Sequence, residues 1–241
     1  MKAMILAAGL GTRLKPMTNT VPKALVEINN KTLLEIAILN LYSSGFDDII
    51  INVHHFSEKV IEFVKLNKFE AKITISDESE KLLDTGGGLF FAKEFFDKKE
   101  PFLIYNVDIL SDIDLKKLHN SHIKSNAIGT VAVRNRSTSR YLLFDENKNL
   151  SGWKNIKSGE TKIVRQNQKD LTPLAFSGIQ IIDPKIFELY EKIGKFSIID
   201  VLLSLAKNEQ IKAFRHDNDF WMDLGKPENL QLAEKLLNRQ K

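Results

Sequence analysis

Lys2-Ala3-Met4-Ile5-Leu6-Ala7-Ala8-Gly9-Leu10-Gly11-Thr12-Arg13-Leu14-Lys15-Pro16 opens the chain and decides the fold. Lys2 to Leu6 reads as a buried first strand, and the small residues and glycines after it read as a tight loop. In an open α/β sheet such a loop lies at the carboxyl end of the strand, where ligands bind. Two glycines let backbone N–H groups approach phosphate oxygens, a mode that a side chain at Gly9 or Gly11 would obstruct. The string is neither a dinucleotide fingerprint, since Leu14 follows Arg13, nor a P-loop. A bare Gly-x-Gly is also compatible with a simple strand-to-loop turn. Val21-Pro22-Lys23-Ala24-Leu25 follows after a short gap. It places a second cation, Lys23, within reach of any anion held by Arg13: Arg13 as a fork, Lys23 as a point charge.

Outward from this loop, apolar runs alternate with amphipathic stretches, which predicts a Rossmann-like α/β fold, a mostly parallel sheet flanked by helices. Strands are expected at Lys2 to Leu6, Asp48 to Val53, Lys72 to Ile75, Pro101 to Asn106 and Ala127 to Val133. Helices are expected at Thr32 to Ser44, Ser57 to Leu66, Thr85 to Phe96 and Asp114 to Ser125. Tyr141 to Phe144, Leu150 to Lys154 and Ala175 to Ile182, joined by turns such as Glu146-Asn147-Lys148-Asn149, predict a small antiparallel extension over one side of the site. Helices follow at Pro184 to Tyr190, Ser197 to Lys207 and Pro227 to Gln240. The polar stretch Asn155 to Thr172 reads as a mobile loop. No repeat or linker divides residues 1–241, so one domain is expected, without a C-terminal β-helix.

Composition narrows the function classes. Of 241 residues, 43% are hydrophobic and 27% charged, as in a globular protein. No run approaches the roughly 18 apolar residues of a membrane span. The chain has no cysteine, so there is no disulfide framework, and the cytoplasm is the default compartment. The net charge of +4 comes from scattered lysines rather than a basic block with interleaved aromatics. That disfavours a nucleic-acid partner and suits small polyanions. His54-His55 lacks a third ligand at zinc spacing.

Two carboxylates complete the pattern. Asp108 lies just beyond the apolar strand Phe102 to Tyr105, on the same sheet edge as the glycine loop. Asp223 sits in Phe220-Trp221-Met222-Asp223-Leu224-Gly225, a short apolar strand ending in a turn. Together they suit Mg²⁺, which takes one or two protein carboxylates and fills its other positions with water and phosphate oxygens. Thr85 reads as an N-cap, and Gly86-Gly87-Gly88 behind it as a place where a ligand approaches a helix start. Asp200, in Ser197-Ile198-Ile199-Asp200, reads as part of a cap rather than as a site residue.

Leu6 to Arg13 with Pro16, Pro22-Lys23 and Trp221 to Gly225 resembles the signature of the sugar-1-phosphate nucleotidylyltransferases, over nearly the whole chain. The resemblance implies one GT-A-like nucleotidyltransferase domain whose partners are a nucleoside triphosphate and a sugar 1-phosphate, without nucleic acid or membrane, as a monomer or small homo-oligomer. It implies that Arg13 and Lys23 are catalytic and that Asp108 and Asp223 bind Mg²⁺. Ala7, Ala8, Gly9, Gly11, Thr12, Arg13, Lys23, Glu78, Gly86 and Gly87 would bind nucleotide; Asn106, Ser177 and Gly178 would bind the sugar. The chain departs from the family pattern at Val107, where relatives commonly carry Gly, and at Glu78, where they often carry Gln. The Glu-Lys-Pro motif of longer relatives is missing. Thr85-Gly86-Gly87-Gly88, Asn52-Val53-His54-His55 and Ser139 to Phe144 resemble most the short N-acetylmuramate-1-phosphate uridylyltransferases of cell-wall recycling. Mannose- and heptose-1-phosphate guanylyltransferases are close rivals, and a non-catalytic regulatory subunit on the same fold is a rival of another class.

Overall fold

A computed structural model describes every residue except 97–98, 167–169 and 239–241, and gives the side chains of all described residues but 237 and 238. The first half holds β1 (Lys2–Leu6), β2 (Glu27–Ile28), β3 (Lys31–Thr32), α1 (Leu33–Ser43), β4 (Asp48–Val53), α2 (Ser57–Leu66), β5 (Lys72–Asp77), α3 (Asp84–Phe91), β6 (Phe102–Asn106), β7 (Ile109–Ser111) and α4 (Leu115–Ser125). The second holds β8 (Gly129–Arg134), β9 (Arg140–Phe144), β10 (Leu150–Asn155), β11 (Thr161–Ile163), β12 (Thr172–Ile182), α5 (Ile186–Leu189), α6 (Ile198–Leu205), β13 (Ile211–Arg215), β14 (Trp221–Asp223) and α7 (Pro227–Asn238).

The strands β6, β1, β4 and β5 run parallel, with β1 between β6 and β4. Helices cover both faces, so these strands are apolar on both sides. Ala3 and Ile5 face one core with Ile49, Ile51 and Leu34, while Met4 faces the other with Ile50, Phe102 and Leu202. All four carboxyl ends reach one edge. The antiparallel part begins at β12, which pairs β6 from Ile179 to Ile182, β8 on either side of a bulge from Ala175 to Ile182, and β9 through its first residues. Its register shifts between Phe176 and Gln180, a bulge that re-aims the chain beside the end of β6.

Two expectations change. The stretch Asn155 to Thr172 is not loop throughout: Thr161–Ile163 adds a strand to β10, with residues 167–169 outside those described. The helix expected to Phe96 ends at Phe91, and after a 3-10 turn Phe96 stacks on Phe102 with ring centroids 3.9 Å apart. The last helix runs as expected to Asn238; Gln240 lies outside the described residues. No described helix is long and apolar enough to cross a membrane.

Candidate active site

The glycine loop leaves β1 under a buried brace. Ala7 N–H donates to Asn52 Oδ1 (2.8 Å), and Asn52 Nδ2 donates to Glu78 Oε1 (2.7 Å). Asn52 is 2% exposed and Glu78 3%. Burial pushes the Glu78 carboxyl above its usual range, against the opposing pull of the Asn52 bond. His54 Nδ1 donates to the Glu78 carbonyl at 2.7 Å, which fixes the brace from its other end. Ala7 and Glu78, expected to meet nucleotide, are therefore turned toward each other through Asn52. The Ala7 N–H and Glu78 Oε1 are both committed inside the protein, whereas Glu78 Oε2 is buried without a hydrogen-bond partner among the described residues.

Beyond Ala7 the loop is open. Among the described residues, the N–H groups of Ala8, Gly9, Leu10 and Gly11 make no protein hydrogen bond. A Cβ on Gly9 would meet nothing within 4 Å, so the space over Gly9 is room left for a ligand. Gly11 has φ +63, and its carbonyl accepts from Thr18 Oγ1 (2.8 Å) and Leu14 N–H (2.8 Å); Thr12 then starts a 3-10 turn that carries Arg13. Gly9 thus serves space and Gly11 serves conformation.

The glycines of α3 do something else. Gly86 and Gly87 N–H groups donate to Phe196 O at 2.9 and 3.1 Å. A Cβ on Gly87 would overlap the Gly194 carbonyl, and one on Gly86 the Phe196 ring. Gly88 packs against Glu78 and Asn52. Thr85 does not cap its own helix: its Oγ1 accepts from Ile198 N–H (3.0 Å), at the start of α6, where Ser197 also caps. The three glycines are accounted for by close packing of protein on protein. Thr85 and Asp84, rather than Gly86 and Gly87, line the cleft.

Four charges meet at the cleft: Arg13, Lys23 and Asp108 line it, and Asp223 pairs with Arg13 beside them. Lys23 Nζ bonds Asp108 Oδ2; Arg13 lies 3.8 Å from the same oxygen and 3.4 Å from Asp223 Oδ2. The aspartates are distant in sequence, but β7 pairs β14 antiparallel with Ile109 opposite Asp223, and Leu224 N–H donates to Asp108 O (2.8 Å). Burial would raise the Asp223 carboxyl, but the Gly225 N–H bond (2.8 Å) and the charges of Arg13 and Lys23 outweigh it and hold the group below its usual range. A side chain at Gly225 would collide with the Arg13 guanidinium. The donor set fits Mg²⁺: two carboxylates flank Arg13 beside a loop with free N–H groups, and no third His, Cys, Asp or Glu joins them among the described residues. The cleft above them has a volume of about 370 Å³; Lys195, Leu82 and Asn106 also line it. Lys195 stands alone in a polar segment and carried no motif to mark it.

Of the residues expected to bind the sugar, Asn106 lines the cleft and Gly178, at φ +76, packs against it. Ser177 is not among the residues that line the cleft. It is fully buried, its Oγ 2.6 Å from His216 Nε2, and its carbonyl accepts from Trp221 Nε1 at 2.9 Å. Its bulge turns the hydroxyl inward, so it supports the turn instead of presenting a polar group to solvent.

The family described as nucleotidyl transferase matches residues 2–240. The chain belongs to that family. The chain is 33% identical over 239 residues to a mannose-1-phosphate guanyltransferase of Yarrowia lipolytica, covering 95% of this chain and 62% of the relative. It is 32% identical to a bifunctional sugar-1-phosphate nucleotidylyltransferase/acetyltransferase of Sulfurisphaera tokodaii, covering 95% and 54%. The chain thus spans roughly three-fifths of the length of these curated relatives. Among solved structures, HddC from Yersinia pseudotuberculosis complexed with GMP-PN superposes with TM-score 0.77 at 26% identity, covering 98% of this chain and 99% of that one. A putative glucose-1-phosphate thymidylyltransferase from Bacillus anthracis has TM-score 0.82 at 20% identity, covering 98% and 94%, a likeness of fold.

Proposed function

We propose that the protein transfers a nucleotidyl group from a nucleoside triphosphate to a sugar 1-phosphate, giving a nucleotide sugar and pyrophosphate, within one GT-A-like domain over residues 1–241. The observation that carries this is the convergence of Arg13, Lys23, Asp108 and Asp223 beside a glycine loop whose N–H groups are free. A loop alone binds phosphate; two carboxylates interlaced with two cations suit phosphate that reacts.

The loop N–H groups from Ala8 to Gly11 receive the triphosphate. Arg13 and Lys23, already lining the cleft, exchange their carboxylate partners for phosphate oxygens. Asp108 and Asp223 would hold Mg²⁺, which when bound supplies charge neutralisation on the reacting phosphates. Asn106, braced by Gly178, faces the acceptor. The acceptor's phosphate is largely dianionic near neutral pH, so no general base is required. Its oxygen attacks the α-phosphorus in line, an O–P bond forms, the bond to the β-phosphate bridge breaks, and pyrophosphate leaves with the electron pair.

For the substrate pair we propose UTP and N-acetylmuramate 1-phosphate, on the resemblance carried by Thr85 to Gly88, Asn52 to His55 and Ser139 to Phe144. That places the protein in cell-wall recycling in the cytoplasm, as a monomer or small homo-oligomer. A second reading, guanylyl transfer to mannose or heptose 1-phosphate, is favoured by the names of the relatives. A pyrophosphate-release assay with Mg²⁺, four triphosphates and a panel of sugar 1-phosphates tests both. Turnover with UTP and N-acetylmuramate 1-phosphate supports the first, turnover with GTP supports the second, and tight nucleotide binding without turnover with any pair leaves the regulatory reading.

A further inference from the structure

Arg136 stacks on Trp221, two residues from Asp223, without a counterion among the described residues. Its guanidinium lies 4.4 Å from the Trp221 ring centroid and donates through Nη2 to Phe176 O (3.0 Å). Its contact with Ser137 O is 3.5 Å, at the limit of a hydrogen bond. Nε is buried and makes no hydrogen bond among the described residues, and no described carboxylate lies within ion-pair distance. Arg134, two residues back at the end of β8, is spent differently: it donates to Asp219 O and Asp217 O at 3.2 and 3.3 Å.

The position of this free charge is defined by its neighbours. Trp221 and Asp223 are two apart on β14 and so project to the same face. Arg136, stacked on Trp221 and within the influence of the Asp223 charge, puts a further cation beside the row formed by Asp223, Arg13, Asp108 and Lys23. Within that row both carboxylates already face Arg13 or Lys23. Arg136 also grips Phe176 O, immediately before Ser177-Gly178, whose glycine packs on Asn106 at the cleft. Burial pushes the guanidinium below its usual range, and Asp223 offsets only part of this. A half-buried cation lacking an ion pair is expensive unless an anion completes it.

We propose that Arg136 binds the phosphate of the sugar 1-phosphate, holding it beside Asp223. Two polyanions must meet in this cleft, and each then has its own cations: Arg13 and Lys23 for the triphosphate, Arg136 for the acceptor. The guanidinium fork, kept planar against the indole, suits bidentate contact with phosphate oxygens. This inference rests on the nucleotidyl-transfer reading above.

The test uses the full chain with its productive substrate pair, comparing wild type with Arg136→Gln and Arg136→Lys by steady-state pyrophosphate release, titration calorimetry of the triphosphate alone and thermal melting. The expected result for Arg136→Gln is a KM for the sugar 1-phosphate raised about tenfold or more, while the KM and affinity for the triphosphate stay within about twofold, with Arg136→Lys intermediate. Inorganic phosphate, competing with the sugar phosphate in the wild type, should lose potency in Arg136→Gln. Equal rises in both KM values, a rise confined to the triphosphate, or an unchanged KM for the sugar phosphate overturns the assignment to Arg136 alone. Absence of turnover by the wild type with every pair overturns the nucleotidyl-transfer reading, and this one with it.

Discussion

The parallel and antiparallel parts of the sheet contribute residues to the site by different means. In the parallel part, β1, β4, β5 and β6 end at one edge, and the site residues follow directly from strand ends: the glycine loop after β1, Asp108 after β6, and the Asn52–Glu78 brace across β4 and β5. In the antiparallel part, the bulge of β12 and the β7–β14 ribbon bring residues in sideways. There Ser177 and His216 are buried supports, while Asp223 and Arg136 project from short or edge segments. The difference is one of division of labour. Strand ends offer backbone donors to a ligand, and a bulged, ribbon-tied wall offers charges held by long side chains.

The comparison breaks first where its two parts meet. Asp108→Ala, Asp223→Ala or Lys23→Ala should leave a folded protein, checked by circular dichroism, with turnover lowered at least about a hundredfold in pyrophosphate release. Near-normal rates in both aspartate variants would remove the metal assignment. Next come two glycines of opposite purpose. Gly87→Ala must displace the Gly194 carbonyl and should cost about 1–3 kcal/mol in denaturant unfolding. Gly9→Ala meets no protein atom and should leave stability intact while raising the KM for the triphosphate; a stability loss at Gly9 equal to that at Gly87 would erase the distinction.

Smaller effects separate support from contact. Ser177→Ala removes the partner of His216 Nε2 and should cost about 1–2 kcal/mol of stability, with the KM for the sugar phosphate little changed. A large KM change with an unmoved melting temperature would restore Ser177 as a substrate contact. The smallest effect concerns pH. Because the Glu78 carboxyl is raised in the folded chain above its ordinary value of 4.5, the native state binds more protons than the unfolded one. Its contribution to stability is therefore greatest below that value and is lost as pH rises through the raised one. Melting curves across this range should show the decline in wild type and a flatter profile in Glu78→Gln; identical profiles would mean that Glu78 does not titrate in the fold.

The parallel part was legible because its signals are local. Continuous apolar runs such as Ile49-Ile50-Ile51 and the Gly9-x-Gly11 loop state their structure within a few residues, and the expected strand Asp48 to Val53 matches residue for residue. The pairing of Asp108 with Asp223 was readable only as chemistry, since the β7–β14 ribbon joins distant three-residue strands. What stayed hidden depends on burial. Nothing in Ser177 tells that a bulge turns it toward His216, and nothing in Gly86-Gly87-Gly88 tells that Phe196 and Gly194, far along the chain, lie against them. Arg136 and Lys195 look like ordinary surface cations until the fold sets one on Trp221 and the other over the cleft.

The most direct test of the central claim follows the α-phosphorus. With Mg²⁺, an α-labelled triphosphate and the sugar 1-phosphate that the panel identifies, the label should appear in a nucleotide sugar, and it should fail to do so in Asp108→Ala and Asp223→Ala. Label recovered only as nucleoside monophosphate, or equal transfer by wild type and both aspartate variants, would contradict the account.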